Sequence, residues 1–307
     1  MMLDAKHKVS HIGGMNKLPP EKRAQVLSML CEGSSMQSIA RVMNVSYKTI
    51  LKLLKDAGEA CGAFHYETVR NVHAKRVQCD EIWSFCYAKE KNVAKAKAAP
   101  VGAGNVWTWT ALDSDSKMIL SWMVGDRSAE TANYFMDDLA QRLADRVQLT
   151  TDGHHVYLDA VAGAFGNDVD YAMLVKLYGE TDAPGPERKY SPAECIGARK
   201  EPKIGNPDID HVSTSHVERM NLSMRMGMRR FTRLTNAFSR KIDNHIYALS
   251  LYFVWYNFTK THAAHRLSPA MAAGVTDRLW SMDDIVALVA AREAKPGKRG
   301  PYNKKTA

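Results

Sequence analysis

Three acidic residues, spread far apart along the chain, lie in sequence settings where an unpaired carboxylate is costly. Asp80 lies in VQCDEIWSFCY, an apolar and aromatic run that predicts a buried strand. Asp152 closes a second such run in VQLTTDG, and Glu218 lies in STSHVERMNLSMRMGMRR, a predicted helix with a basic face. Because an ionised carboxylate is expensive to bury without a partner, divalent cations are the simplest partners for three that converge. Bound to DNA phosphates, such a cluster would be a phosphoryl-transfer site.

Two Mg²⁺ or Mn²⁺ ions are the predicted cofactors of this cluster. Hard cations take oxygen ligands, and two ions about 4 Å apart activate the attacking oxygen, stabilise the leaving oxygen and neutralise phosphate charge. We predict that Asp80 bridges the ions, with Asp152 completing one metal site and Glu218 the other. The same three residues are therefore the predicted catalytic residues and the predicted metal ligands.

Each acid also has a structural alternative. Asp80 could pair with a neighbouring basic residue, Asp152 precedes a glycine as in an ordinary turn, and Glu218 could form a solvated pair with the arginine that follows it. Glu81 comes directly after Asp80, but strand alternation predicts that it lies on the opposite face. The catalytic interpretation depends on all three acids reaching one pocket.

Several neighbours of the acids are predicted to assist them. Asn221 lies three residues after Glu218 on the same helical face and could contact phosphate or a metal-bound water. His154 and His216 could order the metal ligands, and a surface role is the alternative for both. Three further basic residues are predicted to continue the helix as a phosphate-binding stripe: Arg225, Arg229 and Arg230.

The region 19–60 predicts a helix-turn-helix domain. Ser34 or Ser35 can cap its second helix. Asn44 suits a left-handed turn, and Ser46 can cap a third helix that runs to about residue 55. The side chains predicted to face outward into the DNA major groove are Ser46, Tyr47, Lys48, Thr49 and Lys52. The alternative is a small helical bundle that serves as an interaction domain.

A mixed α/β domain is predicted over residues 75–262. Its order of strand, strand, strand, helix, strand, helix, strand, loop and helix is typical of an RNase H-like fold, a mixed sheet with flanking helices. That topology places the first and fourth strands side by side, so that Asp80 and Asp152 become neighbours. The other predicted segments are a disordered start (1–18), a linker (61–74), an irregular insertion (180–213), a helical segment (263–293) and a basic disordered tail (294–307).

Composition indicates a polyanionic partner and a reducing compartment. The 307 residues have a formal net charge of +9, which favours DNA binding. The five cysteines are scattered and include no CxxC, so neither a disulfide framework nor zinc is expected. The sequence has no predicted signal peptide or membrane span, and we therefore expect a cytoplasmic, nucleoid-associated protein.

Four sequence segments together resemble the transposases of the bacterial insertion-sequence-one family, which belong to the DDE group. They are QCDEIWSFCYAKEKN around Asp80, VQLTTDGHHVYL around Asp152, HVSTSHVERMNLSMRMGMRRFTRLTNAFSRK around Glu218, and YFVWYNF with RLSPAMAAGVTDRLW downstream. The resemblance extends from about residue 18 to 289. It implies that Asp80, Asp152 and Glu218 are the catalytic acids and that residues 34–55 recognise the element's terminal repeats.

The implied activity is cleavage of double-stranded DNA at the ends of a mobile element, followed by attack of the new 3′-hydroxyl on target DNA. Joining two ends in one complex implies a homodimer or a higher oligomer. The alternatives are a helix-turn-helix transcription regulator with a ligand-binding domain, and an RNase H-like nuclease or resolvase that does not join strands.

Overall fold

A six-stranded mixed sheet forms the centre of the protein. The computed structural model describes residues 17–179, 195–232 and 235–293; the predicted disordered ends therefore lie almost entirely outside the described residues. The strands are β1 (Arg76–Cys86), β2 (Gly104–Asp113), β3 (Ile119–Gly125), β4 (Gln148–Asp152), β5 (Asp170–Tyr178) and β6 (Cys195–Ile204). Their order across the sheet is β3-β2-β1-β4-β5-β6.

The predicted pairing of the first and fourth strands is confirmed. β1 is antiparallel to β2 and parallel to β4, and β4 is parallel to β5. β1 is buried along much of its length, as its run of valine, cysteine, isoleucine and phenylalanine predicts. The mixed sheet with helices against it is consistent with the predicted RNase H-like fold.

The described ranges contain ten α-helices. They are α1 (Pro20–Cys31), α2 (Met36–Met43), α3 (Tyr47–Thr68), α4 (Glu90–Val93), α5 (Ala129–Ala140), α6 (Val156–Phe165), α7 (Ser215–Gly227), α8 (Ile242–Val254), α9 (Pro269–Ala272) and α10 (Met282–Arg292). The last two, α9 and α10, lie in the predicted helical segment 263–293. None of the described helices is long and apolar enough to cross a membrane.

The caps predicted for the N-terminal helices are present. The side chain of Ser35 accepts a hydrogen bond from the main-chain N–H of Ser38 at the start of α2. Ser46 caps α3 in the same way, and Asn44 takes the left-handed conformation between the two helices, with φ of 51°. These contacts satisfy main-chain groups that a helix end leaves unpaired.

The predicted linker at residues 61–74 is wrong. Helix α3 continues without a break to Thr68, and the chain that follows is also packed, because Val69 and Val72 are buried. Helix α3 packs along α8 and also contacts α10. The N-terminal helices and the sheet therefore share one continuous hydrophobic core, and no extended segment separates them.

The predicted irregular insertion at residues 180–213 also needs correction. Its second part forms β6, which pairs antiparallel with β5 at the edge of the sheet. Most of its side chains are exposed, so the strand lacks the apolar alternation by which strands are recognised. Main-chain pairing with β5 positions it instead. Residues 180–194 lie outside the described residues.

We predict that Gly58→Ala destabilises the fold, because α3 and α8 approach each other closely at this glycine. A Cβ atom on Gly58 would lie 2.4 Å from both Cα and Cβ of Tyr247. Relieving that overlap requires the helices to move apart, at a cost of about 1–3 kcal/mol. The free energy of unfolding in urea provides the measurement.

The matched control is Gly163→Ala in α6, where an added Cβ meets no atom within 4 Å. This variant should gain about 0.5–1 kcal/mol, the usual preference for alanine inside a helix. Equal effects of the two substitutions would contradict the close packing of α3 on α8.

Candidate metal centre

Strand pairing brings Asp80 and Asp152 together. β1 and β4 pair in parallel with Gln78 opposite Thr150, and continuing that register by two residues places Asp152 level with Asp80. Asp152 is the last residue of β4. The two carboxylates lie in one cluster with that of Glu81, in which one oxygen from each residue lies within 4.8 Å of the others.

The place of Glu81 in this cluster was not predicted. Strand alternation does put Asp80 and Glu81 on opposite faces: Asp80 contacts Asn221 of α7, whereas Glu81 faces Tyr157 of α6. The carboxylates nevertheless approach each other, because β4 ends at Asp152 and its pairing with β1 does not continue past this level. Alternation alone therefore predicted the correct face for Glu81 but not the approach of its carboxylate to the other two.

Glu218 is brought toward the cluster by helix α7, which is fixed to β1. The side-chain oxygen of Gln78 accepts hydrogen bonds from the main-chain N–H groups of His216 (2.9 Å) and Val217 (3.2 Å). This buried amide thus caps the first turn of α7 two residues before Asp80 along β1. Glu218 follows immediately, and its charge contributes to raising the pKa of Asp80.

Asn221 directly contacts the carboxylate of Asp80. It lies one turn after Glu218, is buried, and donates a hydrogen bond from Nδ2 to Oδ2 of Asp80 over 2.7 Å. The other oxygen of Asp80 accepts from the main-chain N–H of Glu81 over 2.9 Å. Asn221 therefore orients the carboxylate of Asp80, and this contact ties α7 to β1 a second time.

Two basic residues that were not predicted to belong to the site partly neutralise the acids. Lys176 of β5 lies with Nζ 2.7 Å from Oε1 of Glu218. Arg127, between β3 and α5, lies with Nη2 3.1 Å from Oε2 of Glu81 and 3.6 Å from Oδ2 of Asp152. Both come from segments distant in sequence, and no local pattern marks them as part of the site.

Burial and mutual repulsion raise the pKa of two of the acids. The pKa of Asp80 rises from its ordinary value of 3.8 to about 6, chiefly through burial and then through the charge of Asp152. Burial and Asp152 also raise the pKa of Glu81, to about 7. The site therefore contains more negative charge than its own cations neutralise.

This arrangement fits a divalent cation. The donor atoms are carboxylate oxygens, which Mg²⁺ and Mn²⁺ prefer, and their spacing of 4.8 Å or less is close to the separation of about 4 Å across one Mg²⁺ ion. A positive ion there would relieve the repulsion that raises the pKa of Asp80 and Glu81.

The two predicted histidines lie in different surroundings. The main-chain N–H of His154 donates to Oδ1 of Asp152 over 3.0 Å, and its ring stacks on buried Trp109. Burial lowers the pKa of His154. The ring of His216 lies instead beside Lys117, with Nε2 3.3 Å from Nζ. Only His154 directly contacts one of the predicted metal ligands.

The predicted phosphate-binding stripe needs correction. Helix α7 ends at Gly227, so that Arg229 and Arg230 lie in a short 3-10 turn rather than on its face. Arg230 donates to Oγ of Ser239 and to a main-chain carbonyl, both over 2.8 Å, and burial lowers its pKa to about 10. It therefore has a structural role, while Arg225 and Arg229 are exposed.

The side chains predicted to read DNA lie at the start of α3. Ser46 and Thr49 are hydrogen-bonded to each other as part of the helix cap. The exposed members of the set are Ser46, Tyr47, Lys48 and Lys52, of which Lys52 pairs with Asp56 one turn later. A basic, exposed surface is thus present on the first turns of the helix.

Comparison with solved structures finds weak similarity to two transposase complexes. The piggyBac transposase synaptic complex with hairpin DNA has 11% identity and a TM-score of 0.39, over 95% of this chain and 77% of that one. The Mos1 strand transfer complex has 13% identity and a TM-score of 0.23, over 78% and 79% of the respective chains. No protein-family model and no curated protein matches the sequence. The resemblance to the insertion-sequence-one family therefore stays a prediction.

We predict that Asp80→Asn stabilises the protein at neutral pH in the presence of EDTA. Because the folded pKa of Asp80 is raised to about 6, the folded state retains a proton that the unfolded state has lost. Wild-type stability therefore falls as pH rises from about 4 to about 6. The variant lacks this penalty and should gain about 1–3 kcal/mol above pH 6.

Urea unfolding at a series of pH values measures the effect, and the gain should vanish as pH falls toward 4. Asp137→Asn, at an exposed position on α5, is the control and should leave the pH dependence of the wild type unchanged. A gain that is independent of pH would contradict the electrostatic explanation.

Proposed function

We propose that this protein is a DDE transposase, which cuts DNA at the ends of a mobile element and joins the ends to target DNA. The proposed catalytic residues and metal ligands are Asp80, Asp152 and Glu218. The observation that supports this most strongly is the meeting of carboxylates from β1 and β4 under a helix that bears the third acid.

The balance of charges in the site supports binding of a divalent metal ion. The site contains four acidic residues and two basic ones. The acids are Asp80, Glu81, Asp152 and Glu218, and the basic residues are Arg127 and Lys176. When all are ionised, four negative and two positive charges leave a net charge of −2, which one divalent cation would neutralise. A second ion would be needed once the phosphate of a DNA strand adds its own charge.

The residues of the chain would divide the work as follows. Asp80 and Asp152 would hold metal from adjacent strands, and Asn221 would keep the carboxylate of Asp80 in the binding orientation. Glu218 would complete the ligand set by exchanging its contact with Lys176 for the metal. When bound, Mg²⁺ or Mn²⁺ would activate the attacking oxygen and stabilise the charge on phosphate.

DNA is the proposed substrate. The formal net charge of +9 favours a polyanion, and the exposed side chains of Tyr47, Lys48 and Lys52 are suited to the major groove if α2 and α3 act as a helix-turn-helix. We propose that these helices bind the terminal repeats and that the protein acts as a dimer or larger assembly in the cytoplasm.

The two alternative functions differ in what they need from the acids. A transcription regulator has no use for a metal-binding cluster at the centre of its second domain. A nuclease or resolvase would need the same cluster but would not use the 3′-hydroxyl to join strands. Strand joining therefore distinguishes it from a transposase.

We predict that Asp152→Asn abolishes Mg²⁺-dependent cleavage of DNA that carries the inverted repeats flanking the coding region. Losing one metal ligand removes several kcal/mol of transition-state stabilisation, so that the rate should fall by more than about 100-fold. Single-turnover cleavage on a sequencing gel measures the rate, and a labelled target duplex in the same reaction reports joining.

Asp137→Asn makes the same chemical change on the exposed surface of α5 and should cleave at the wild-type rate. Equal activity of the wild type and Asp152→Asn would end the enzyme hypothesis. Cleavage without joined products would favour the nuclease.

A second prediction concerns α3. Lys48→Ala should weaken binding to the terminal repeats about tenfold, because it removes a cation from the surface proposed to enter the major groove. Lys22→Ala, at an exposed position on α1, is the control. Fluorescence anisotropy with labelled repeat DNA provides the measurement. Equal affinities of the two variants would show that the DNA does not bind at the first turns of α3.

A further inference from the structure

Arg127 is held at the rim of the candidate metal centre by contacts on several sides. Its Nε and Nη2 lie 3.2 Å and 3.1 Å from Oε2 of Glu81. Its guanidinium carbon lies 4.9 Å from the centre of the Trp107 ring. A guanidinium that is both paired and stacked on an aromatic ring loses most of its conformational freedom.

The same guanidinium is still accessible from outside. The side chain of Arg127 is 39% exposed, whereas that of Glu81 is 1% exposed. Its Nη2 also lies 3.6 Å from Oδ2 of Asp152, a proposed metal ligand. Guanidinium has five N–H donors in a planar fork, so it can keep its contact with Glu81 and donate to a further oxyanion.

The neighbouring helix end does not add to this positive charge. Arg127 directly precedes Ser128, whose side chain caps the N-terminus of the twelve-residue helix α5. The carboxylate of Asp126 accepts hydrogen bonds there from the main-chain N–H of Ser128 and the hydroxyl of Thr131. The attraction for phosphate beside Asp152 therefore comes from the guanidinium of Arg127 itself.

Glu81 is better placed to hold Arg127 than to bind metal. Its Oε2 already accepts from the guanidinium, and its Oε1 is buried on the α6 side of the sheet, where Tyr157 faces it. Asp80, by contrast, faces α7 together with Asn221. Using Glu81 as a metal ligand would leave the half-buried arginine without its partner, which is unfavourable.

We infer that Arg127 binds a phosphate of the DNA strand that enters the metal centre, and that Glu81 is the residue that positions Arg127. This inference rests on the proposed function. It assigns four acids two roles: Asp80, Asp152 and Glu218 bind metal, and Glu81 organises the phosphate contact on the other face of β1.

The test measures DNA binding without chemistry. The probe is a duplex with a terminal repeat whose end is already cut and lacks the 3′-hydroxyl, so that neither cleavage nor joining occurs. Affinity is measured by anisotropy at several salt concentrations and fixed Mg²⁺. For Arg127→Gln we expect the slope of log affinity against log salt to fall by about one unit, and affinity at low salt to fall about 10- to 100-fold.

Arg146→Gln is the matched control. Arg146 is also a paired, partly exposed arginine, but it binds Asp170 where β5 begins, at the opposite end of β4 from Asp152, and it should keep the wild-type slope. Arg127→Lys should keep the slope while binding less tightly, since an ammonium retains the charge and loses the fork that pairs with Glu81.

Glu81→Gln distinguishes positioning from metal binding. If Glu81 positions Arg127, Glu81→Gln should bind DNA more weakly than the wild type, and the Glu81→Gln/Arg127→Gln double variant should bind no more weakly than Arg127→Gln alone. The Mn²⁺ affinity of Glu81→Gln, measured by calorimetry, should stay much closer to that of the wild type than the affinity of Asp152→Asn does. Thermal unfolding of each variant establishes that it is folded.

Either of two results overturns the inference: an unchanged salt slope in Arg127→Gln, or a loss of Mn²⁺ binding in Glu81→Gln as large as that in Asp152→Asn. Failure of the proposed function has a different signature. The wild type would then not cleave uncut repeat DNA in Mg²⁺, whatever the binding slopes are.

Discussion

Repulsion between the carboxylate of Asp80, within β1, and that of Asp152, at the end of β4, is the interaction around which the site is organised. Asp80 and Asp152 occupy the same level of two adjacent parallel strands, and Glu81 joins them where β4 ends. Burial, and after it the charge of Asp152, raises the pKa of Asp80 and of Glu81. A protein gains no stability from such a cluster, and a divalent cation held between the carboxylates would offset its cost.

The residues around the acids hold them in place but only partly offset the repulsion between their carboxylates. Gln78 and Asn221 fix α7 to β1 at two points, on either side of the turn that contains Glu218. Lys176 and Arg127 offset part of the negative charge from the other elements. The long helix α3 supports this arrangement from further away, through its packing on α8.

The sequence was sufficient to predict the centre of the fold. Apolar runs identified β1 and β4, and the order of elements required them to be neighbours, which put Asp80 beside Asp152. It was insufficient where packing overrides local pattern. Gly58 and Gly62 disfavour a helix by local preference, yet both lie inside α3. Their lack of a side chain lets α8 pack closely against α3, and this packing stabilises the helix there. β6 was missed because its side chains are mostly exposed, so that its pairing with β5 leaves no apolar pattern.

The candidate site was predictable to the same extent. The alternation rule assigned Glu81 to the correct face of β1. It could not predict that β4 ends at Asp152, where the carboxylate of Glu81 approaches those of Asp80 and Asp152. Arg127 and Lys176 come from a loop and from another strand, and only the folded chain brings them to the acids. For Arg230 the local sequence was misleading. The run of basic residues predicted a phosphate-binding surface along one helix, but α7 ends at Gly227, before Arg230.

Anomalous X-ray scattering from crystals soaked in Mn²⁺ would show whether these acids bind metal. We predict a strong peak between the carboxylates of Asp80 and Asp152, with Glu218 turned from Lys176 toward the ion and Glu81 still paired with Arg127. No peak between these carboxylates, or a Mn²⁺ ion bound elsewhere while the acids keep their ion pairs, would contradict the proposed metal centre.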